Sequence, residues 1–241
     1  MNISNNSDST AKNQIALENQ LKSQENIFKE IISKIKKYVQ EVCKNDSTGH
    51  DWWHIERVYN NAMLINKKEQ ANEFILTIIV LMHDLYDHKF FNGNIAEKLE
   101  ETLKQLQVYE YFSKDDIQNI IYSCVNLGFS NNIVEKKELS HEGRIAQDAD
   151  RLDAIGAIGI ARTFAYGGSK NRVIYDPTIK PMDFSTLEQV KNAENHTINH
   201  FYEKLLKLKD LMNTPTGKTM AEKRHKFMEN FLDEFYEEWN L

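Results

Sequence analysis

Residues that interrupt helices are scarce in this chain. Only 3 prolines and 9 glycines occur among its 241 residues. Proteins built from many short strands need frequent turns, and turns draw heavily on these two residue types. Their scarcity, in a sequence rich in Lys, Glu, Leu, Ile and Asn, favours long helices and predicts an all-α fold.

Cysteine is equally scarce, and no hydrophobic run is long. The two cysteines, Cys43 and Cys124, are too few for a disulfide framework or a cysteine-rich zinc site. Each has a valine neighbour, so we expect both to be buried thiols in a reducing compartment. The longest apolar run, Phe74–Met82, is far too short to cross a lipid bilayer.

The charge balance and the first residues exclude further classes of protein. The formal net charge of −6 gives no electrostatic basis for a surface that binds extended RNA or DNA. The N-terminal sequence lacks the basic start and apolar core of a signal peptide. We therefore predict a cytoplasmic protein that does not bind membranes.

The spacing of apolar residues predicts a single helical domain behind a polar tail. We expect residues 1–20 to form a flexible tail and residues 21–241 to form one domain. Within the domain, apolar residues recur mostly at intervals of three and four, as they do on one side of a helix. The predicted helices cover approximately residues 11–44, 52–65, 72–86, 95–108, 113–128, 141–165, 186–212 and 216–239, and the first of them is expected to be frayed at its start, within the tail.

Local signals refine this pattern. Asp51 is a suitable N-cap for the second helix, and Ser113 begins a variant of the capping box with Asp116 as the acidic partner. Residues 169–185 contain two of the three prolines and are predicted to be irregular. The long amphipathic first helix is compatible with a homodimer.

Two histidines and two aspartates carry the functional signal. His54 is followed 29 residues later by the adjacent pair His83 and Asp84, and Asp150 comes 66 residues after Asp84. Each lies on a segment that its apolar pattern assigns to a helix. Two imidazole nitrogens and two carboxylates from three helices could form a mixed site for one divalent cation. Such ligands suit Mn²⁺ best, with Fe²⁺, Co²⁺, Ni²⁺, Zn²⁺ and Mg²⁺ as further candidates.

The order of these groups resembles the HD-domain superfamily of metal-dependent phosphohydrolases. The pattern of that superfamily is a histidine, then a His-Asp pair, then a distant aspartate. The segments Gly49–His54 (Gly-His-Asp-Trp-Trp-His) and Asp150–Gly156 (Asp-Arg-Leu-Asp-Ala-Ile-Gly) are similar to one bacterial subgroup. The resemblance implies an HD-domain helical bundle with additional C-terminal helices and one divalent metal ion. It also implies a small phosphorylated substrate, with a nucleoside triphosphate cleaved to release pyrophosphate as the first choice.

Three residues near these motifs are candidates for contact with the substrate or the attacking water. Arg57 follows His54 by nearly one helical turn and could grip a phosphate, although an ordinary ion pair with a nearby acid explains it equally well. Asp87 follows Asp84 by three residues. The resemblance implies that Asp87 is an acidic residue assisting the water, and we predict general acid/base catalysis by it. Lys89 is predicted to bind a phosphate, the alternative being an ordinary exposed lysine.

Two aspartates beside Asp150 receive different predictions. Asp153 lies three residues further along the same helix face, where its carboxylate could orient a ligand histidine. Asp148 lies about 200° around a helix from Asp150 and is predicted to face solvent.

Other functions remain open at this point. Some members of the superfamily hydrolyse cyclic nucleotides or other phosphate esters, but the Gly-Tyr-Pro tripeptide of dedicated cyclic-dinucleotide enzymes does not occur in the sequence. A two-iron oxygenase would need more ligand histidines, and His88 and His141 are poorly placed for that role. A module that binds a nucleotide without turning it over is the alternative from another class of function.

Overall fold

A computed structural model describes residues 5–45, 51–86, 93–129, 137–184, 186, 188–189 and 196–240, with side chains from residue 22 onward. Within these ranges the chain forms helices joined by turns and irregular segments, with no strand. The prediction of an all-α fold is confirmed. Among the described helices, none combines the length and apolar character needed to span a bilayer. The proposed separation of a tail over residues 1–20 stays a prediction.

Nine α-helices are present in the described ranges. They are α1 (Asn5–Val42), α2 (Trp52–Glu69), α3 (Glu73–Met82), α4 (Ile95–Gln105), α5 (Lys114–Asn126), α6 (His141–Asp153), α7 (Gly156–Ser169), α8 (Asn199–Glu203) and α9 (Pro215–Trp239). Three short 3₁₀ helices cover Cys43–Asn45, Val108–Glu110 and Leu205–Lys207.

Helix α3 is the centre of the bundle. All of its residues from Ile75 to Met82 are buried, and it contacts α1, α2, α5 and α6. A helix that is apolar on every side can be stable only when other helices surround it. Its cap is Asn72, whose side chain accepts hydrogen bonds from the backbone N–H groups of Phe74 and Ile75. The helix ends at Met82, earlier than predicted, and residues 83–86 form a turn.

The two predicted caps are present. The side chain of Asp51 accepts a hydrogen bond from the backbone N–H of His54 at 3.0 Å, which begins α2. Ser113 and Asp116 form a reciprocal capping box at the start of α5. Cys43 and Cys124 are both buried, as expected.

The helix predicted over residues 141–165 is in fact two helices. Helix α6 ends at Asp153, Ile155 is extended, and Gly156 begins α7 with a φ of +77°. A side chain is strained in that conformation, and a Cβ at this position would lie 3.1 Å from the side chain of Arg224. The break turns the chain so that α7 runs beside α9 rather than continuing α6.

The helix predicted over residues 186–212 is wrong over residues 196–212. This part contains only the short α8 and a 3₁₀ turn, separated at Lys204. Polar contacts hold the chain to the irregular segment instead: the backbone carbonyl of Ile179 contacts His196 Nε2 at 3.1 Å and accepts a hydrogen bond from Asn199 Nδ2 at 3.1 Å. The backbone N–H groups of Thr197 and Ile198 also donate to the carbonyls of Val173 and Ile174, at 3.0 and 3.1 Å, so these donors are not available to a continuous helix.

Asp148 does not face solvent. It is fully buried between α6 and the start of α9. Its Oδ1 accepts hydrogen bonds from the backbone N–H and Nδ2 of Asn213, and its Oδ2 accepts from the backbone N–H and hydroxyl of Thr214, at 2.8–2.9 Å. Burial raises the pKa of this carboxyl group, and these hydrogen bonds oppose the rise. The prediction failed because helical periodicity does not reveal that the chain returns to cover this face of α6.

Candidate metal centre

The fold brings the four predicted metal ligands together. His54 lies on α2, His83 and Asp84 lie in the turn after α3, and Asp150 lies on α6. One potential ligand atom from each of His54, His83 and Asp150 lies within 4.8 Å of the others. Asp84 borders the same cluster, because its Oδ2 lies 3.2 Å from His54 Nε2 and 3.6 Å from His83 Nε2.

Hydrogen bonding orients the imidazole of His54. Its Nδ1 lies 2.7 Å from Oδ2 of Asp153, which is buried. Asp153 is ionised and can only accept, so Nδ1 carries the proton. The other nitrogen, Nε2, points at Asp84 Oδ2 and at Asp150 Oδ1, which lies 3.5 Å away. This is the arrangement in which a histidine presents Nε2 to a metal ion.

The charge around His54 favours a cation at the centre. Burial lowers the pKa of His54, but the hydrogen bonds with Asp153 and Asp84 and the charges of Asp84 and Asp150 outweigh it and raise the pKa to about 9. Carboxylates that stabilise a proton on Nε2 would also stabilise a divalent ion at the same place.

The imidazole of His83 is fixed by the backbone of its own helix. Its Nδ1 lies 2.8 Å from the carbonyl oxygen of Val80 and must donate to it, so Nε2 is left as an acceptor. Nε2 is buried and has no hydrogen-bond partner among the described residues. It lies 3.8 Å from Asp150 Oδ1. A buried nitrogen lone pair aimed at two carboxylates fits a metal ligand better than it fits a packing residue.

The cluster is open on one side. The side chains of His54 and His83 are almost fully buried, whereas those of Asp84 and Asp150 are 19% and 30% exposed. Water and a small ligand can therefore reach the centre past the carboxylates. Two nitrogens and two oxygens form a donor set suited to a divalent transition metal.

Arg57 lies next to the centre and contacts Asp153. Its Nε donates to Asp153 Oδ1 at 2.7 Å and its Nη2 donates to Oδ2 at 3.0 Å. The ordinary ion pair weighed for Arg57 is thus present, and the Arg57 side chain is still 36% exposed. Burial raises the pKa of Asp153, but the hydrogen bonds from His54 and Arg57 outweigh it, so the pKa is lowered.

Some predicted residues lie outside the described ranges, and two contacts escaped prediction. Asp87 and Lys89 both fall within residues 87–92, which the structure does not describe.

The first unpredicted contact is Arg162 on α7, whose Nη1 donates to Asp153 Oδ2 at 2.8 Å. The second is Tyr86, at the end of the turn that carries His83 and Asp84.

Tyr86 anchors that turn through a chain of hydroxyl groups. The hydroxyl of Thr102 donates to the backbone carbonyl of Lys98 at 2.8 Å, so it must accept from Tyr86, 2.9 Å away. Tyr86 in turn must accept from the hydroxyl of Tyr38, 3.0 Å away. The turn is therefore tied to both α1 and α4. An isolated tyrosine in the sequence gives no signal of such a role.

Comparison with known proteins agrees with this geometry. The family model for the HD domain matches residues 52–155, which include all four clustered groups. The uncharacterized protein YpgQ of Bacillus subtilis is 38% identical over 199 residues, covering 82% of this chain and 88% of YpgQ. A crystal structure of YpgQ in complex with ADP superposes with a TM-score of 0.68 and 34% identity, covering 88% of this chain and 96% of YpgQ.

Two further crystal structures are similar over nearly the whole chain. A Lactobacillus plantarum protein is 37% identical with a TM-score of 0.77, covering 87% of this chain and 96% of its own. An HD-superfamily hydrolase from Bacillus thuringiensis is 40% identical with a TM-score of 0.68, covering 88% and 98%. The chain therefore belongs to the HD-domain superfamily and is a metal-dependent phosphohydrolase.

Proposed function

We propose that His54, His83, Asp84 and Asp150 hold one divalent metal ion, with Mn²⁺ as the first choice. The observation that carries the proposal is the convergence of two oriented imidazole Nε2 atoms and two partly exposed carboxylates on one point. An ion bound there would polarise a phosphate oxygen and supply a nucleophilic water at neutral pH. The fixed orientation of both rings means that little rearrangement is needed to bind it.

We further propose that the substrate is a nucleoside triphosphate, cleaved to release pyrophosphate. The crystal structure of the relative YpgQ with ADP supports a nucleotide as the ligand class. The open side of the cluster would admit a small anionic group. Arg57, whose side chain is 36% exposed, contacts Asp153, the partner of the proposed ligand His54. A guanidinium that already pairs with one carboxylate still has N–H groups that can donate to a phosphate oxygen.

The segment after Asp84 is proposed to complete the site. Asp87 would align or deprotonate the attacking water, and Lys89 would contact a phosphate. Both follow directly in sequence from a turn that Tyr86 fixes in place. A carboxylate on the segment that follows Asp84 in sequence is a reasonable general base.

The test is a panel of nucleoside triphosphates, nucleoside monophosphates and simple phosphate esters, assayed with Mn²⁺ and other divalent ions. Phosphate and pyrophosphate release are measured separately. We expect pyrophosphate release from at least one triphosphate, and its loss in Asp84→Ala. Asp233→Ala is the matched control, because Asp233 is an exposed carboxylate on α9. It should keep full activity.

The outcomes separate the alternatives. Full activity in Asp84→Ala contradicts the metal site. Phosphate release alone, from a monophosphate or an ester, contradicts pyrophosphate release and favours the phosphomonoesterase or phosphodiesterase alternative. Binding of nucleotides with every metal and turnover with none would indicate a nucleotide-sensing module.

A further inference from the structure

The buried carboxylate of Asp153 is held from three directions. Its Oδ2 accepts from His54 Nδ1 at 2.7 Å and from Arg162 Nη1 at 2.8 Å, and its Oδ1 accepts from Arg57 Nε at 2.7 Å. Only 2% of the Asp153 side chain is exposed. A carboxylate held at one oxygen can rotate about its Cβ–Cγ bond, whereas one held at both oxygens cannot. Arg57 holds both oxygens, because its Nη2 also donates to Oδ2 at 3.0 Å, and Arg162 adds a further hydrogen bond to Oδ2, the oxygen that accepts from His54.

Arg162 reaches Asp153 across the break between α6 and α7. Its Nη1 also donates to the backbone carbonyl of Asp153 at 3.4 Å, so one guanidinium contacts both the main chain and the side chain of the last residue of α6. Arg162 belongs to α7, which begins at Gly156, where the chain turns after α6. The turn is what brings this cation back to the end of the preceding helix.

Arg162 lies on the far side of the His54 ring from the proposed metal ion. It shares an oxygen with Nδ1, while Nε2 faces Asp84 and Asp150. It is thus well placed to control the angle of the ring. Removing a residue that orients a ligand histidine commonly lowers the affinity for the metal ion by about 10- to 100-fold.

We infer that Arg162 is a positioning residue, which fixes Asp153 and through it aims His54 Nε2 at the metal ion. This inference rests on the proposed metal site. The competing explanation is that Arg162 only joins α6 to α7, in which case its loss would lower stability without acting specifically through Asp153. The two explanations differ in what a second substitution at Asp153 should do.

The first experiment measures the affinity for Mn²⁺ by titration in Arg162→Gln, Arg162→Lys and the wild-type protein. We expect Arg162→Gln to bind Mn²⁺ about 10-fold more weakly. Arg162→Lys, which keeps the charge, should recover most of the loss. At saturating Mn²⁺ the KM for the nucleotide should not change, because a residue that acts only by aiming His54 affects the binding of the metal ion and not that of the nucleotide. Arg144→Gln is the matched control, because Arg144 is an exposed arginine on α6, and it should leave the affinity unchanged.

The second experiment is a double-mutant cycle with Asp153→Asn. If Arg162 acts through Asp153, then Arg162→Gln should cost little further affinity once Asp153 is changed. Equal losses in both backgrounds, or wild-type affinity in a folded Arg162→Gln, would overturn the inference. Should Asp153→Asn not fold, failure of Arg162→Lys to recover affinity overturns it instead. A wild-type protein that binds no Mn²⁺ would refute the proposed metal site itself.

Discussion

Asp148 offers the sharpest test of how the C-terminal helix is attached. Its two oxygens accept four hydrogen bonds, two from backbone N–H groups, at a fully buried position. In Asp148→Asn one oxygen becomes an NH₂ group. Whichever way the amide lies, that group faces two donors, from either Asn213 or Thr214. Each buried donor left without an acceptor costs about 1–3 kcal/mol, so we expect a loss of about 2–6 kcal/mol.

The assay is thermal unfolding in EDTA, followed by circular dichroism. For a chain of this size, 1 kcal/mol corresponds to about 2–4 °C in Tm, so the predicted loss lowers Tm by about 4–24 °C. Asp233→Asn, an exposed substitution on α9, should stay within about 0.5 kcal/mol of the wild type. A change below about 2 °C in Asp148→Asn would refute the argument that these four bonds secure the start of α9.

Three further predictions concern the centre and its surroundings. Mn²⁺ at about 100 times its Kd should stabilise the wild type by about 2.7 kcal/mol but not Asp84→Ala, as measured by Tm with and without the ion. Gly156→Ala should lower the unfolding free energy by about 1–3 kcal/mol in chemical denaturation, because its φ of +77° is strained for alanine and the Cβ would crowd Arg224. In EDTA, the stability advantage of the wild type over Asp153→Asn should peak between pH 3.8 and 6.5. The lowered pKa of Asp153 adds stability that is lost as the pH falls below 3.8, and the raised pKa of His54 adds stability that is lost as the pH rises from 6.5 through about 9. A pH-independent difference between the two proteins would contradict this last prediction.

The sequence predicts well those features that depend on local patterns. The apolar run of α3, the Asp51 cap and the capping box at Ser113 each need only a few neighbouring residues to be recognised, and each is present. The convergence of His54, His83 and Asp150 is predictable because an ordered set of rare residue types is informative even across long gaps.

The features that escaped prediction depend on contacts between distant segments. The spacing of apolar residues does not reveal the break at Gly156, because apolar residues continue through it. Nor does a glycine in the sequence by itself indicate a positive φ, since glycine adopts positive and negative φ values about equally well. Without that break, Arg162 cannot be placed near Asp153. Asp148 was misplaced for the same reason, because its partner Asn213 is 65 residues away.

The link between His54 and Asp153 has a consequence for how the molecule folds. These residues are 99 positions apart, yet their side chains must meet before the imidazole is aimed. Closing so long a loop carries an entropic cost that only the assembled bundle repays. A truncated chain ending before α6 would hold His54, His83 and Asp84 but neither Asp150 nor Asp153. Tight Mn²⁺ capture should therefore appear late in refolding, making the ion a probe for molecules whose chain has fully assembled.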